Sequence, residues 1–501
     1  MVMKTLGVYI TELPAFPNSV VAVATAVPAF IGYTEKADNK GTSLTNVPWR
    51  IASMVEYQDC FGGPQTVTFH VSEIDATAKP SPAATIRLGG KDYALQTDAT
   101  PQDRFLLYAS MALFFANGGG ACYVVSVGSY GDAPISVGAL RNGIDLLEEE
   151  QEPTIVVIPD EAHLPTAADC YTLQQHALLH CGGTMKSRVA LLDVYDGYFG
   201  RNDPAGDSIQ SFRDNIGVNY LDFAAAYYPW LNTAALTDKD VTYKYVDTAD
   251  LVALVQAEEA LTNSVQHVGP GVIAELKALN KLTADQLNVA LTNGSAVFRQ
   301  VIAEILRQLS KLPPCGAIAG VYAMVDGTQG VWKAPANVSL SAVSSPTVAI
   351  SDAEQQDLNA PLDGKAVNAI RSFAGEGVLV WGARTLDANS QDWRYIQVRR
   401  TMIMLEQSIQ LANKAYVFDD NVSTTWVTIK SMIGNFLTGV WQQGGLVGAR
   451  AEDAFSVSCG VGETMTAQDI LDGVLLVTVQ VAVIHPAEFI EITFQQQMQK
   501  S

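Results

Sequence analysis

Four short apolar runs separated by helix-length segments constrain this fold more than any other feature of the sequence. Ala29-Phe30-Ile31-Gly32-Tyr33, Ala121 to Val127, Thr154 to Pro159 and Val189 to Asp193 are short, apolar and rich in β-branched or aromatic residues, as buried strands are. Helical stretches fall at Asp103 to Asn117, Gly138 to Glu150 and Thr166 to His180. Strands apolar on both faces that alternate with helices predict a mainly parallel sheet covered on both sides, an α/β class with mixed α+β additions.

The core is expected to be discontinuous, with 26–65 and 102–231 resuming at 313–484. Residues 66–101 read as a β-rich insertion: Thr66 to Val71 alternates, Pro80-Ser81-Pro82 turns, and Ala84 to Leu88 precedes Gly89-Gly90. Residues 232–312 read as a helical insertion, because Val297/Phe298, Val301/Ile302, Ile305/Leu306 and Leu309 recur at helical spacing before Pro313-Pro314. Two amphipathic helices follow, one carrying Met402, Leu405 and Ile409, the other Trp426, Ile429, Ile433, Phe436 or Leu437, and Val440 or Trp441. Arms are expected at 1–25 and 485–501.

With 31 Lys and Arg against 52 Asp and Glu, the chain carries a net charge of −21. Nucleic acid and anionic membranes repel such a surface, so neither is an expected partner. Apolar residues make up 48% of the 501 and charged ones 17%, which fits a folded protein with extensive burial rather than a disordered chain. Six scattered cysteines without a CxxC pair read as reduced thiols. Glu12, Asn18, Pro14, Pro17 and Pro28 interrupt any leader-like run, and Phe105 to Ala116 is too short to span a bilayer. The expectation is a soluble protein made inside the cell.

Catalytic signatures are sparse. Cys170, His176, His180 and Cys181 are metal-ligand types, but Cys170 lies too far back along a helix to share an ion with both histidines. Gly118-Gly119-Gly120 follows a helix and precedes a strand, the reverse of a phosphate loop, so it reads as a helix stop. Gly89-Gly90-Lys91 reads as a hairpin turn. Asp193 and Asp196 end a sheet strand, where α/β enzymes place functional groups, yet no nucleophile or base accompanies them in sequence. No catalytic residue, cofactor or metal is assigned, and an oligomeric α/β enzyme using Asp193, Asp196 and His176 stands as the alternative.

Two lone β-segments, Gly7 to Leu13 and Glu488 to Phe494, flank the body and are set off from it by prolines. Unpaired strands promote association. Either they fold back on their own domain or they are donated to neighbouring copies, with Val8 and Ile10, and Ile490, Ile492 and Phe494, filling one face of an acceptor sheet.

The run Val378 to Leu386, then Trp393 to Arg400, Val417 to Asn421, Phe436-Leu437-x3-Trp441, Gly444-Gly445-Leu446-x-Gly448 and Pro486 to Ile490 resembles the C-terminal domain of contractile phage tail sheath proteins. Gly7-Val8-Tyr9-Ile10-x-Glu12 and Val27 to Gly32 are similar to that family's N-terminus. The resemblance implies a non-enzymatic subunit that stacks in six-fold rings around an inner tube protein and contracts to drive the tube through an envelope. It implies strand donation by Val8, Tyr9, Ile10 and Glu12 and by Phe489, Ile490, Ile492 and Phe494. Structural roles follow for Arg384, Trp393, Arg399, Arg400 and Trp441, and a tube-facing role for Lys430 and Arg450. Baseplate and cap proteins are the further partners, and assembly is expected in the bacterial cytoplasm. An end-specific isoform near the baseplate or cap is the variant of this reading.

Overall fold

A computed structural model describes residues 19–74, 85–132, 134–261 and 268–488. They divide into two compact units. The larger comprises Thr25–Gln329 and Lys333–Arg399; the smaller comprises the described residues before Thr25, Gly330–Trp332 and the chain from Arg400 onward. The expected stretch 313–484 therefore falls in two, and residues 19–24 belong with the C-terminal part.

The larger unit is built on a nine-stranded sheet. Its strands run in the order Val338–Ser339, Gly377–Val380, Asn368–Phe373, Ala224–Tyr228, Val189–Asp193, Ile155–Val157, Pro28–Thr34, Cys122–Ser129 and Trp49–Ile51. The six from Asn368–Phe373 to Cys122–Ser129 are mutually parallel, and antiparallel strands close both edges. Every residue of Pro28–Thr34, Ile155–Val157, Val189–Asp193 and Ala224–Tyr228 is buried, which accounts for their unbroken apolar sequence. The helix Cys315–Gln329 packs on Leu107–Ala116. A Cβ on Gly316 would lie 2.7 Å from the Ser110 carbonyl oxygen and one on Gly320 2.5 Å from that of Phe114, so only glycine permits the approach. Gly118, with φ 93°, stops the Leu107–Ala116 helix as expected, and Gly89 and Gly90 turn the hairpin between Thr85–Leu88 and Lys91–Thr97.

The two expected insertions share one core. The three-stranded sheet of Phe69–Glu73, Lys91–Thr97 and Thr85–Leu88 supplies Phe69, Ile86 and Leu95. These pack with Leu251, Val255, Leu291, Val301 and Ile305 from the helices of the second segment. The short strands Leu231–Thr233 and Lys311–Leu312 pair antiparallel and draw together the two ends of that second excursion.

The smaller unit is mostly helical. It includes the helix Ser423–Gln442 and the part of Ile396–Asn413 that follows Arg399. Its core gathers Met404, Leu405, Ile429, Met432, Ile433, Leu437, Val440, Leu446 and Ala454 with Val331. No described helix is long and apolar enough to cross a membrane.

Candidate strand-acceptor site

In the smaller unit, Phe455–Ser458 and Thr478–Val481 form an antiparallel ribbon that, among the described residues, has only these two strands. The bond from the Ala482 N–H to the Ala454 carbonyl (2.8 Å) sets the ladder's parity. The Ser456/Gln480 and Ser458/Thr478 pairs exchange main-chain bonds, so residues 455, 457, 479 and 481 turn their N–H and C=O groups toward the outer edges. Side chains divide equally clearly. Phe455, Val457, Val479 and Val481 pack on the helical core. On the opposite face the Ser456 hydroxyl meets the Gln480 side-chain oxygen at 3.1 Å. A two-stranded ribbon is marginal alone and gains from added strands.

The roots of both arms lie in this same unit. Val20 and Val23 pack against its core, and the Val23 N–H donates to the Ser408 hydroxyl at 3.0 Å. At the other end, Val483 bridges to Leu446, and the Val447 N–H donates to the Ala482 carbonyl at 2.8 Å. The unit is also rich in exposed apolar side chains, among them Val427, Leu471 and Phe418, the last fully exposed with φ 77°. The anticipated donor residues Val8, Tyr9, Ile10, Glu12, Phe489, Ile490, Ile492 and Phe494 lie outside the described residues. Of this ribbon the sequence shows one strand, where Val477, Val479, Val481 and Val483 alternate with Thr478, Gln480 and Ala482; its partner was not read, although Phe455/Val457 alternate over four residues.

The other candidates are dispersed. His176 pairs with Asp145 (2.5 Å) and lines a groove with Tyr220, whereas Asp196 lines a different cavity. His180 is buried beside Arg188, at 3.4 Å; burial, then that charge, lowers its pKa to about 4. Burial pushes the Cys170 thiol well up and that of Cys181 to about 12. Asp193 is buried and accepts the Cys315 N–H at 3.0 Å. Burial pushes its pKa up to about 7, and burial plus the Asp193 charge raises Glu161 as well. Neither carboxyl faces an open site. Among the described residues, His70, Asp247 and Asp250 are the metal-type side chains brought within reach of one another. The distance of His70 from the two aspartates in sequence hid the group, and Asp247 is already the cap of the helix Thr248–Glu259.

Residues 388–497 match the family model of the phage tail sheath C-terminal domain. Over nearly its whole length the chain is also similar in structure to the sheath complex of an extracellular contractile injection system, PVC, in its contracted state. There the TM-score is 0.61 and identity 26%, with 99% of each chain covered. The C-terminal part of the chain thus carries a tail sheath domain, and the chain as a whole is similar to contractile sheath subunits. A chain in the six-fold symmetrised baseplate structure of the anti-feeding prophage is comparably similar, with TM-score 0.59, 28% identity, and 99% of this chain and 100% of that one covered. The tail sheath protein of Vibrio phage KVP40 is 28% identical over 135 residues, which are 27% of this chain and 20% of that longer protein.

Several positions singled out by the sheath resemblance are structural. The Arg399 guanidinium sits 3.6 Å from the Trp393 ring centroid and 4.3 Å from that of Phe223, and pairs with Asp222 at 2.6 Å. Arg384 is buried; its N–H donates to the Asn368 side chain at 2.7 Å and its guanidinium to the Asn359 carbonyl at 2.8 Å. Arg400 is buried. The Trp441 indole donates to the Gly448 carbonyl at 2.9 Å, fixing the Gly-rich turn of this sheath domain. Lys430 pairs with Glu463 at 3.2 Å, and Arg450 with Glu452 at 2.6 Å and Asp453 at 3.4 Å.

Proposed function

We propose that the chain is a structural subunit of a contractile sheath that stacks in six-fold rings around an inner tube and contracts to drive the tube through a target envelope. The Phe455–Ser458/Thr478–Val481 ribbon is the acceptor for arms of neighbouring copies. Its open edges and single apolar face, in the unit where both arms are rooted, carry this reading. A strand bearing Ile490, Ile492 and Phe494, or Val8 and Ile10, has the period of two that an edge requires. Each apolar side chain buried this way contributes about 1.5–3 kcal/mol, and such connections hold copies together while the subunit bodies move. Lys430 and Arg450 face the tube, baseplate and cap proteins bound the stack, and assembly takes place in the bacterial cytoplasm.

Removing residues 1–14 or 485–501 is expected to leave a soluble folded body that no longer forms long tubes. Tubes that assemble and contract without either arm would refute the reading. The variant reading is an end-specific isoform, raised by the similarity to a chain in a baseplate structure. Negative-stain images decide: striated cylinders support the main sheath, single rings the isoform.

A further inference from the structure

A second site lies in the larger unit, where the nine-stranded sheet unit meets the base of the shared insertion module. A cavity of about 290 Å³ is walled by aromatic rings, including Phe105, Tyr195, Tyr198 and Trp230, and is entered by Arg104 and Lys311. That volume is at the small end of ligand pockets, enough for one ring and a polar group.

Its electrostatics run against those of the chain. In a protein with 52 acidic residues, Asp196 is, among the described residues, the single carboxylate lining this cavity, and it is engaged by Tyr198. Arg307, also at the rim, is satisfied by Glu304 at 2.6 Å. Arg104 and Lys311 have no carboxylate partner among the described residues. The Nε of Arg104 is shielded from solvent and has no acceptor, and the Lys311 ammonium lies 5.0 Å from the Tyr198 ring centroid. Burial lowers the pKa of both cations, and the Arg307 charge, then that of Arg104, lowers that of Lys311 further, as expected of cations converging on one space. Burial, then the Arg104 charge, brings His163 to about 4, so its imidazole adds no competing charge at neutral pH. A buried donor without an acceptor and a cation without a counterion mark a place where an anion is missing. The planar fork of Arg104 matches a carboxylate.

We propose that this cavity binds a carboxylate, held by Arg104 and Lys311, with its carbon skeleton against the Tyr198 and Trp230 rings. The carboxylate comes either from a small aromatic acid or from an acidic side chain of a second copy. The site is independent of the strand-acceptor reading.

The test uses the dispersed full-length chain and sodium benzoate, followed by calorimetry and by tryptophan fluorescence. Saturable one-to-one binding is expected, weakened about tenfold or more by Arg104→Gln and by Lys311→Gln. Arg50→Gln, remote from the cavity and paired with Glu152 at 3.1 Å, should leave it unchanged. Without benzoate, neither cavity variant should melt below the wild type, because each loses an uncompensated charge. Binding to assembled particles separates the sources: retained affinity identifies a free acid, and loss of binding on assembly identifies a neighbour's carboxylate. Failure of benzoate to saturate the dispersed wild type, or binding by either cavity variant as tight as by the wild type, overturns the proposal.

Discussion

Replacing Asp193 by Asn should make the larger unit more stable, and increasingly so as the pH rises. Asp193 is 3% exposed at the end of a central strand. Its carboxylate accepts the Cys315 N–H at 3.0 Å, and burial outweighs that bond, raising its pKa from 3.8 to about 7. An acid whose folded pKa is raised leaves the fold most stable below its unfolded pKa; that stability declines as pH climbs to the folded value and is level above it. The rise is about three units, or about 4 kcal/mol in all, of which about 3 kcal/mol falls between pH 5 and 8. Asn keeps an acceptor for the Cys315 N–H and removes the charge, so the variant lacks this component. Removing the charge also eases Glu161, whose pKa Asp193 helps to raise. At about 1–2 °C per kcal/mol for a unit of this size, the variant's melting temperature relative to wild type should rise by about 3–6 °C from pH 5 to pH 8. Thermal melts of dispersed chains at both pH values measure it. Parallel profiles, or an advantage that grows toward acid, would refute the reasoning.

Three further outcomes follow from contacts described above. Val479→Asp puts a charge on the apolar face of the ribbon; it should abolish tube formation in stain images while far-ultraviolet circular dichroism of the subunit stays unchanged. Arg399→Ala strands Asp222 and empties the stack on Trp393 and Phe223. A loss of about 3 kcal/mol is expected in denaturant unfolding, with Arg399→Lys intermediate because it keeps charge without the planar stack. Gly118→Ala forces a side chain into φ 93° and a Cβ to 2.8 Å from that of Met324. It should cost about 1–3 kcal/mol in the same assay.

The parallel core was legible because both faces of its strands are buried: Val189–Asp193 and Ile155–Val157 are apolar throughout and leave no alternative period. Helix Ser423–Gln442 was equally readable from the spacing of Ile429, Ile433 and Leu437. What the sequence hid was long-range partnership. Nothing local to Phe69 shows that it shares a core with Val301, and nothing in Arg104 shows that it will face Lys311 without an acid between them. In the two-stranded ribbon the Val477 to Val483 alternation was legible, but its pairing was not, because Phe455–Ser458 is four residues long and lies nineteen residues of turn and short helix upstream. The division of the chain at Arg399 falls inside a continuous helix, Ile396–Asn413, where no glycine, proline or change of period marks it.

The shared insertion module is tied down by four passages of the backbone, near residues 66, 101, 236 and 310, the last two gathered by the pairing of Leu231–Thr233 with Lys311–Leu312. A bead on one thread can swivel; a body on four threads transmits torque. Anything grafted onto this module, whether an epitope, a fluorophore or a binding domain, would turn with the sheet beneath it and report that rotation faithfully. For the same reason the module resists piecemeal removal. Excising one excursion would uncover Phe69 and Leu95, or Val255 and Val301, so a trimmed chain must lose both excursions together or keep both.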